Sequence, residues 1–375
     1  MNILVISREI PPVGGGAGAV ALDLATQFAA NGHQVRIITM HFGDLPPIET
    51  RGSVTIQRLR CGRRRRDSAD FVAMGRFVLA ARRAARKAVA EGSYDIVHAH
   101  GVLPDGLVAI STAKLLRCPV VLTAHGSDVP GYDPGRYALV HRLLGPVWRR
   151  LVRGANLVTT PSEYLHGLIR RTETGGDVRV IPNGIQTDLF SISPNRSGFL
   201  IASRLIKRKN YGLFFEALHR IRPSQEVRVV GDGPERGHLE RLASELDHRV
   251  TFLGWLDRGS AEWRHAYEES RFLAFPSDNE NFPINLLEAQ LAGLVVLANN
   301  IQGNREVLGS NALFFSDLTP KGIAATITRA INMPNQQLET LGQRASLRAR
   351  SFSWPTIALR FEKEYSRLVE SNSVK

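Results

Sequence analysis

The chain has 375 residues, of which 43% are hydrophobic, and it carries 48 Lys+Arg against 35 Asp+Glu. This composition predicts a globular protein of about two domains and excludes an intrinsically disordered chain. No apolar run approaches the ~18 residues that a membrane-spanning helix needs, which excludes an integral helical membrane protein. The net charge of +13 attracts nucleic acid, anionic lipid or phosphorylated substrates, and charge alone does not choose among them.

The cysteines and the N-terminus bear on the cellular compartment. Cys61 and Cys118 are too few for a disulfide framework or a zinc cluster. The first residues lack the basic start and the long apolar stretch of a signal peptide. We therefore expect a reducing, cytoplasmic location.

Short apolar runs alternate with helical patterns along the whole chain. In the first half, Ile3-Leu4-Val5-Ile6 precedes a loop rich in Pro and Gly, a helical pattern over residues 17–31 and a strand over residues 35–40. Further strand-like runs follow at residues 96–97, 120–122 and 157–160. The second half has strand-like runs at residues 199–202, 227–230, 250–253, 272–275 and 295–297, and helical patterns at residues 211–221, 235–246, 261–268, 284–292 and 321–332.

This alternation predicts parallel sheets that are covered by helices on both faces. We predict an α/β protein of two doubly wound, Rossmann-like domains that face a central cleft, with ligands at the carboxyl ends of the strands. The predicted domains are residues 1–190 and 191–355, joined by a polar linker over residues 191–198. A last helix, over residues 356–375, either stays with the second domain or crosses back to the first.

The first candidate site is the glycine loop over residues 14–18, which follows a strand and opens a helix. Its amides and the helix dipole favour a phosphate or sugar oxygen, so we assign Gly15 and Gly16 to donor binding. A plain tight turn is the alternative. The loop departs from the dinucleotide pattern and no acidic residue ends the second strand, which disfavours a nicotinamide enzyme.

The second candidate site contains histidines at strand ends. His125 directly follows the run at residues 120–122, where it can donate a hydrogen bond to a substrate hydroxyl or phosphate; a structural histidine is the alternative. His98 and His100 occupy a similar position, but His-x-His without further nearby ligands does not indicate a metal site. We assign His100 and Asp128 to acceptor binding.

The third and fourth candidate sites lie in the second half. Arg204 and Lys209 follow its first strand, and two cations at a strand end suit a diphosphate. Glu280 and Glu288 are eight residues apart, the second on a helix that begins near Ile284. One carboxylate can hold a sugar hydroxyl and the other a ribose, with the diphosphate at the positive end of the helix.

Together these motifs resemble the retaining glycosyltransferases of family 4, which have the GT-B fold. The resemblance covers nearly the whole chain and rests on five motifs: His125-Gly126, Ile181-Pro182-Asn183-Gly184-Ile185, Arg204-x4-Lys209, Gly231-Asp232-Gly233-Pro234 and Glu280-x7-Glu288. It implies a nucleotide-sugar donor, a donor-binding second domain and an acceptor-binding first domain.

The resemblance also implies roles for individual residues. Catalytic roles fall to His125, Arg204, Lys209 and Glu280. Donor binding falls to the same two cations, to Glu288 at the ribose, and to Leu253, Gly254, Trp255, Asn281, Phe282, Ile284, Asn285 and Leu286. No metal or other cofactor is expected, because Arg204 and Lys209 neutralise the leaving diphosphate.

The chain departs from the family pattern in three places, all in the segments that the resemblance assigns to the donor side. Pro283 stands where the family has Gly and removes one amide donor. The segment Ala292-Gly293-Leu294-Val295-Val296 lacks the usual Cys and Pro. Gly303 is the second residue of Gln302-Gly303-Asn304-Arg305-Glu306, where the family has two glycines.

The sequence therefore predicts a retaining, metal-independent hexosyltransferase that moves a sugar from a UDP-sugar to a glycan or lipid-linked glycan in cell-envelope polysaccharide synthesis. A nucleotide-sugar epimerase or phosphorylase of the same fold is the enzymatic alternative. A nucleic-acid-binding protein is disfavoured, because the chain has no stacking runs or recognised helical motif. The acceptor, the linkage and the oligomeric state are open.

Basic residues concentrate in the first half, where 24 Lys+Arg stand against 15 Asp+Glu in residues 1–190. They form clusters beside apolar residues: Arg58, Arg60 and residues 63–66; Arg76, Arg82, Arg83, Arg86 and Lys87 beside Phe77, Val78 and Leu79; and Arg136, Arg142, Arg149, Arg150 and Arg153 beside Trp148. These clusters predict peripheral binding to the anionic inner face of the cytoplasmic membrane. Solvated helix faces are the alternative.

Overall fold

The computed structural model describes residues 1–66, 68–191, 193, 196–222 and 224–373, without the side chain of Arg136. The chain divides into two compact units, Met1–Gly184 with Trp354–Lys375, and Ile185–Ser353. Ile185 already belongs to the second unit, since its N–H donates to the Phe352 carbonyl at 2.8 Å and its side chain is buried in that unit's core. The predicted boundary lies a few residues further along, and residues 192, 194 and 195 of the predicted linker lie outside the described residues.

The first unit contains an eight-stranded sheet. Its strands are β1 (Asn2–Ile6), β2 (Gln34–Met40), β3 (Ile48–Arg51), β4 (Val54–Leu59), β5 (Ile96–His100), β6 (Val120–Thr123), β7 (Leu157–Thr160) and β8 (Val178–Val180). Its order is β3-β4-β2-β1-β5-β6-β7-β8, parallel except for the β3–β4 pair. The helices between the strands are α1 (Gly16–Ala30), α2 (Phe71–Glu91), α3 (Asp105–Leu116), α4 (Pro134–Gly154) and α5 (Glu163–Thr172).

Local sequence signals set these elements. The central strands β5, β6 and β7 are buried along their whole length, as expected for strands covered on both faces. Side-chain caps begin two of the helices: Asp70 accepts from the amide of Ala73 at α2, and Ser162 accepts from the amide of Leu165 at α5. One continuous core joins the sheet to α2, α3, α4 and α5. Because crossovers between parallel strands are right-handed, α1 covers the opposite face.

The second unit contains a six-stranded, wholly parallel sheet. Its strands are β9 (Phe199–Ala202), β10 (Glu226–Val230), β11 (Arg249–Gly254), β12 (Phe272–Phe275), β13 (Val295–Ala298) and β14 (Ala312–Phe314), in the order β11-β10-β9-β12-β13-β14. Its helices are α6 (Tyr211–Leu218), α7 (Arg236–Ser244), α8 (Ala261–Glu268), α9 (Ile284–Leu291), α10 (Gln302–Leu308), α11 (Pro320–Ile331) and α12 (Asn335–Arg350). Two buried apolar clusters cover the sheet, so this unit has a core of its own.

The last helix, α13 (Trp354–Ser373), packs in the first unit against α1. Phe361 and Tyr365 place their rings 6.4 and 5.4 Å from the ring of Phe28. A Cβ on Gly184 would lie 2.3 Å from the Trp354 ring, so the glycine of the Pro-Asn-Gly motif leaves room for the start of this helix.

The predicted fold class, an α/β protein with two doubly wound parallel sheets, is confirmed. Within the described ranges, no helix combines the length and the hydropathy that crossing a bilayer requires.

Candidate active site

Three loops at the carboxyl ends of β9, β10 and β11 are joined by backbone hydrogen bonds. The amide of Leu205 donates to the Asp232 carbonyl at 2.9 Å, and the amide of Gly231 donates to the Gly254 carbonyl at 2.7 Å. Gly231 has φ +128, and a Cβ there would lie 1.9 Å from the carbonyl of Ser203. The Gly-Asp-Gly motif is therefore required for the close approach of the loop that carries Arg204 and Lys209.

Lys209 and Glu280 form a buried ion pair at this end of the sheet. The ammonium of Lys209 donates to Glu280 Oε1, which also accepts from the Ser277 hydroxyl at 2.6 Å. The residues are only 7% and 8% exposed, and the ammonium lies 4.7 Å from the centroid of the Phe275 ring. Burial lowers the pKa of Lys209, and the Glu280 carboxylate opposes that shift. The two predicted catalytic side chains thus contact each other directly.

Arg204 adds positive charge beside this pair. Its charge is one of the groups that lower the pKa of Lys209, after burial and the charge of Arg208. Its side chain is partly exposed, and in the part of the chain that the structure describes no carboxylate forms an ion pair with it. The guanidinium is therefore available to an anionic ligand.

Glu288 is held by two residues that the sequence did not single out. Its Oε1 accepts from Arg258 Nε at 2.6 Å, and its Oε2 accepts from the Tyr267 hydroxyl at 3.0 Å. Glu288 is 5% exposed. Burial and the adjoining carboxylate raise the pKa of Tyr267 well above its usual value, so Tyr267 keeps its proton and donates. The carboxylate is thereby fixed in one orientation.

The start of α9 differs from the prediction in one respect. Pro283 is its N-cap, and Asn285 Nδ2 donates to the Ala202 carbonyl at 2.8 Å, which ties α9 to the end of β9. The amide of Leu286, which we expected at the donor, donates instead to the Pro283 carbonyl at 3.2 Å. Leu286 is also fully buried, so it supports the helix, and only Ile284 and Asn285 remain partly exposed here.

The segment between Glu280 and α9 packs closely on α10. A Cβ on Gly303 would lie 2.1 Å from the Glu280 carbonyl and 2.6 Å from the Asn281 carbonyl. Asn281 and Phe282 are buried, and the Phe282 ring lies against Phe352 at 5.5 Å. Gly303 is the one glycine that remains of the family's Gly-Gly pair. Because it has no Cβ, the loop that carries Glu280 can pack against α10.

The predicted base-binding segment lies at the end of β11. Leu253 and Trp255 are 39% and 44% exposed, and Gly254 between them has φ +71. An exposed indole is suited to stacking on a planar ring.

In the first unit, the predicted histidines form a connected group in which His98 and His100 are buried and His125 is partly exposed. His100 Nδ1 and His125 Nε2 are 3.2 Å apart, and their rings stack at 5.4 Å. His98 lies 4.3 Å from the His100 ring, and its nitrogens bond to the hydroxyls of Tyr365 at 2.6 Å and Thr123 at 2.7 Å. Burial lowers the pKa of His125 to about 4 and that of His98 to about 3. Both histidines are neutral at pH 7.

Asp128 organises the backbone beside these histidines. Its carboxylate accepts from the amides of Val102, His125 and Gly126, at 2.8 to 3.0 Å. The Trp148 indole donates to its carbonyl at 2.7 Å. We assigned Asp128 to acceptor binding. In the structure its carboxylate instead holds together the loop after β5 and the loop after β6.

The glycine loop has two kinds of glycine. Gly14 has φ +92, and Gly14 and Gly18 have no room for a Cβ because Glu9 lies against them. A Cβ on Gly15 or Gly16 meets nothing within 4 Å. The two glycines that we assigned to donor binding therefore line open space at the start of α1, and the N-terminus of a helix attracts anions.

A further charged pair at the end of β1 was not predicted. The Arg8 guanidinium pairs with Asp105, and its amide donates to the same carboxylate at 2.6 Å. Burial raises the pKa of Asp105 to about 6, and the Asp105 carboxylate raises the pKa of Arg8 despite burial. A cation in the loop that follows a buried strand, as Arg8 is two residues after β1, is the signal that could have found this pair.

Several members of the basic clusters are structural. Arg58 is 4% exposed and pairs with Glu49 at 2.6 Å. Arg63 is 8% exposed and donates to the carbonyls of Arg65 and Arg66. The solvated or membrane-facing role that we expected for residues 63–66 is therefore wrong for Arg63. Phe77 and Trp148 are also buried, because both belong to the core of the unit.

The predicted site residues thus form two groups. The second unit holds Arg204, Lys209, Glu280, Glu288 and their supporting loops, and the first unit holds His100, His125, Asp128, Gly15 and Gly16. Among the described residues, no group of three or more His, Cys, Asp or Glu has an arrangement that could hold a metal ion.

Comparison with known proteins identifies the class. The profile of Glycosyltransferase Family 4 matches residues 14–189, and that of Glycosyl transferases group 1 matches residues 196–333. The chain therefore belongs to the family 4, group 1 glycosyltransferases, and it is a glycosyltransferase of the GT-B type.

Individual relatives cover nearly the whole chain at low identity. The glycogen synthase of Mycobacterium tuberculosis is 27% identical over 96% of this chain and 92% of its own length. The phosphatidyl-myo-inositol mannosyltransferase of Mycobacterium leprae is 25% identical over 100% of this chain and 98% of its own. Among solved structures, the sucrose-phosphate synthase of Thermosynechococcus elongatus has a TM-score of 0.85 at 23% identity, with 99% of both chains covered. HepE of Anabaena in complex with UDP has a TM-score of 0.78 at 20% identity, covering 98% of this chain and 100% of that one.

Proposed function

We propose that the protein is a retaining, metal-independent glycosyltransferase that takes a hexose from a UDP-sugar and transfers it to a glycan or lipid-linked glycan of the cell envelope. The observation that carries this proposal is the buried Lys209–Glu280 pair together with the guanidinium of Arg204, which pairs with no carboxylate among the described residues. The motifs imply a diphosphate at these cations, and HepE, a structural neighbour, binds UDP.

The residues of the second unit fit separate parts of such a donor. Arg204 and Lys209 would neutralise the charge that develops on the leaving diphosphate, which is the role a metal ion has in other enzymes. Glu288, oriented by Arg258 and Tyr267, would accept hydrogen bonds from the ribose hydroxyls. Trp255 would lie against the base, and Glu280 would orient the hexose.

Retention of the anomeric configuration is proposed from the resemblance of the motifs to the retaining glycosyltransferases of family 4. An inverting transferase uses a general base, commonly a carboxylate or a histidine, to deprotonate the acceptor. Glu280, Glu288 and Asp128 each accept two or more hydrogen bonds from protein groups. In the proposed reaction none of them is the base, and neutral His125 donates or accepts a hydrogen bond at the sugar.

The proposed acceptor follows from the relatives and from charge. The relatives include a putative teichuronic acid glycosyltransferase of Bacillus subtilis and the mycobacterial phosphatidyl-myo-inositol mannosyltransferase. A first unit with an excess of positive charge suits an acceptor that carries phosphate or lies at an anionic surface.

A donor-hydrolysis screen tests the function. Purified protein is incubated with UDP-, GDP- and ADP-sugars, and nucleotide release is measured. We expect release from a UDP-sugar, and a loss of roughly 10²–10³-fold in Glu288→Gln, because the charge is lost and an NH2 donor replaces one of the two oxygens that accept from Arg258 and Tyr267. Thermal stabilisation by an oligonucleotide and by no nucleoside diphosphate would contradict the proposal, as would conversion of the donor to its epimer without release.

Metal independence is tested on the same reaction. We expect EDTA to leave the rate of UDP release unchanged, because Arg204 and Lys209 supply the positive charge at the diphosphate. Loss of activity on chelation that is restored by Mg²⁺ or Mn²⁺ would show that a cation acts there. Proton NMR of the anomeric centre in the first product formed decides between retention and inversion.

A further inference from the structure

Helix α4 presents an apolar face outward. Leu139, Leu143 and Val147 are spaced four residues apart and are 68%, 69% and 39% exposed, and Leu144 beside them is 42% exposed. We call these four residues the leucine face. A contiguous apolar stripe on the outside of a helix is unusual for a surface that meets only water.

The orientation of α4 is fixed from its opposite side. Trp148 is 1% exposed and its indole bonds to the Asp128 carbonyl at 2.7 Å, and Leu151 and Val152 are buried in the same core. The leucine face therefore cannot turn inward without breaking the packing of the unit. Its exposure is a feature of the folded state.

Arginines flank the leucine face along the same helix. Arg142 and Arg150 are exposed, and within the described ranges neither is paired with a carboxylate. Arg153 is exposed too and pairs with Glu173 at 3.0 Å. An apolar stripe bordered by arginines matches a surface with an anionic outer layer and an apolar interior, because long arginine side chains can keep their charge at the headgroups.

Helix α2 extends this surface. Phe71, Val72 and Leu79 are 65%, 62% and 59% exposed, and Arg76, Arg83 and Arg86 lie exposed among them. Helix α3 contacts both α2 and α4, so the two amphipathic helices belong to one side of the first unit. Both helices therefore offer exposed apolar and basic residues in the layer that covers this face of the sheet.

We propose that this surface docks the protein on an anionic bilayer, with the leucine face of α4 inserted at the level of the headgroups. Docking is assigned to these helices; of residues 63–66, Arg63 is buried and cannot take part, whereas Arg64, Arg65 and Arg66 are exposed. A second copy of the chain fits less well: in a two-fold contact the surface faces itself, and its arginines would face arginines. The docking does not depend on the proposed reaction, but the proposed lipid-linked acceptor gives it a purpose.

Vesicle co-sedimentation of the full chain tests the proposal. Phosphatidylcholine vesicles with about a quarter phosphatidylglycerol are compared with pure phosphatidylcholine, at low and high salt. We expect binding to the anionic vesicles that falls at high salt. Arg142→Gln/Arg150→Gln should weaken binding about 30-fold, since each arginine contributes about fivefold at an anionic surface. Leu139→Gln/Leu143→Gln should weaken it at least about tenfold, because two side chains no longer enter the apolar layer.

Matched controls come from the same chain. Leu347 and Leu359 are 69% and 61% exposed on α12 and α13, and Arg344 is exposed on α12. Leu347→Gln/Leu359→Gln and Arg344→Gln should bind as wild type does. Equal binding to neutral and anionic vesicles would overturn the proposal. An unchanged affinity of Leu139→Gln/Leu143→Gln for anionic vesicles would also overturn it, since the binding would then be electrostatic only.

Two further measurements separate this proposal from its alternatives. Light scattering reports the oligomeric state, and a dimer that the double leucine variant converts to a monomer, without vesicle binding, would assign the surface to a second copy. Nucleotide release in the absence of vesicles should be the same in the docking variants and in wild type. Vesicle binding and nucleotide release are therefore independent readouts. The docking proposal can be refuted while the proposed reaction is confirmed, and the proposed reaction can be refuted while docking is confirmed.

Discussion

The buried pair of Lys209 and Glu280 links stability to activity at one point of the second unit. Removing one member leaves the other charge buried without its partner, which commonly costs about 3–5 kcal/mol. A loss of activity in a single variant would therefore be ambiguous. The pair has to be neutralised on both sides before a catalytic effect can be separated from unfolding.

We predict that Lys209→Met destabilises the protein strongly and that Lys209→Met/Glu280→Gln recovers most of that loss, because no uncompensated charge remains. Both variants should release UDP from the donor at no more than about 1% of the wild-type rate, since the cation at the diphosphate is missing. Urea unfolding and donor hydrolysis measure the two effects. A double variant that regains stability and also activity would place the function of Lys209 outside the reaction.

The buried histidines of the first unit predict a dependence of stability on pH. Burial lowers the pKa of His98 to about 3, from an unfolded value near 6.5. The folded state therefore binds fewer protons than the unfolded state between these values, and its stability falls as the pH drops below about 6.5. The slope per such histidine is about 1.4 kcal/mol per pH unit.

His98→Gln isolates this contribution. His100, His125 and Asp105 titrate in both proteins, so only the difference in unfolding free energy between the two proteins is informative. At pH 7 the variant should be less stable than wild type, because it loses the bonds to Tyr365 and Thr123. The difference in unfolding free energy between wild type and variant should become smaller as the pH falls from about 6.5 towards 4. A difference that stays constant over this range would contradict the assignment of a neutral, buried His98.

At the scale of elements, one glycine controls the position of the glutamate loop. Gly303→Ala places a methyl group 2.1 Å from the Glu280 carbonyl, so the loop must move away from α10. We expect a marked loss of donor hydrolysis together with a loss of stability. Gly237→Ala, in α7, is the matched control: a Cβ there meets nothing within 4 Å, and alanine should stabilise the helix by about 0.5–1 kcal/mol. Normal activity in Gly303→Ala would show that the loop tolerates displacement.

The elements that the sequence predicted well are those buried on both faces. Strands β1, β9 and β12 are continuous apolar runs. They can be found without the two-residue or 3.6-residue spacing of apolar positions that reveals half-buried strands and helices. The β3–β4 pair was not predicted, because β3 lies at the sheet edge and is mostly exposed and polar. Helix α12 was missed because several of its buried positions hold small residues such as Gly342, Ala345 and Ala349, which give little apolar periodicity.

The site shows the same division between local and distant signals. The glutamates and cations could be predicted because each belongs to a short motif with fixed spacing. Arg258 and Tyr267 could not, since they reach Glu288 from 30 and 21 residues away in the chain. Arg63 was misinterpreted because a run of four arginines is typical of a solvated surface, whereas backbone carbonyls of its own loop surround this side chain.

At the scale of the whole molecule, the chain leaves the first unit at Gly184 and returns to it at Trp354. The ends of the second unit meet, since Ile185 forms a β-bridge with Ser353 and its amide bonds to Phe352 at 2.8 Å. The unit also has two apolar clusters of its own, one on each face of its sheet. A continuous segment whose ends meet and whose core is internal meets the requirements for independent folding.

We predict that residues 185–353, expressed alone, fold cooperatively and bind UDP, because Arg204, Lys209, Glu280 and Glu288 all belong to this segment. A nucleoside diphosphate at about 100 times its Kd should stabilise the isolated unit by about 2.7 kcal/mol. Thermal unfolding with and without UDP measures this, and Glu288→Gln in the same segment should reduce the shift. The segment should not release UDP from a donor at the full-length rate, since His125 is missing. A folded segment that no nucleoside diphosphate stabilises would place donor binding elsewhere in the chain.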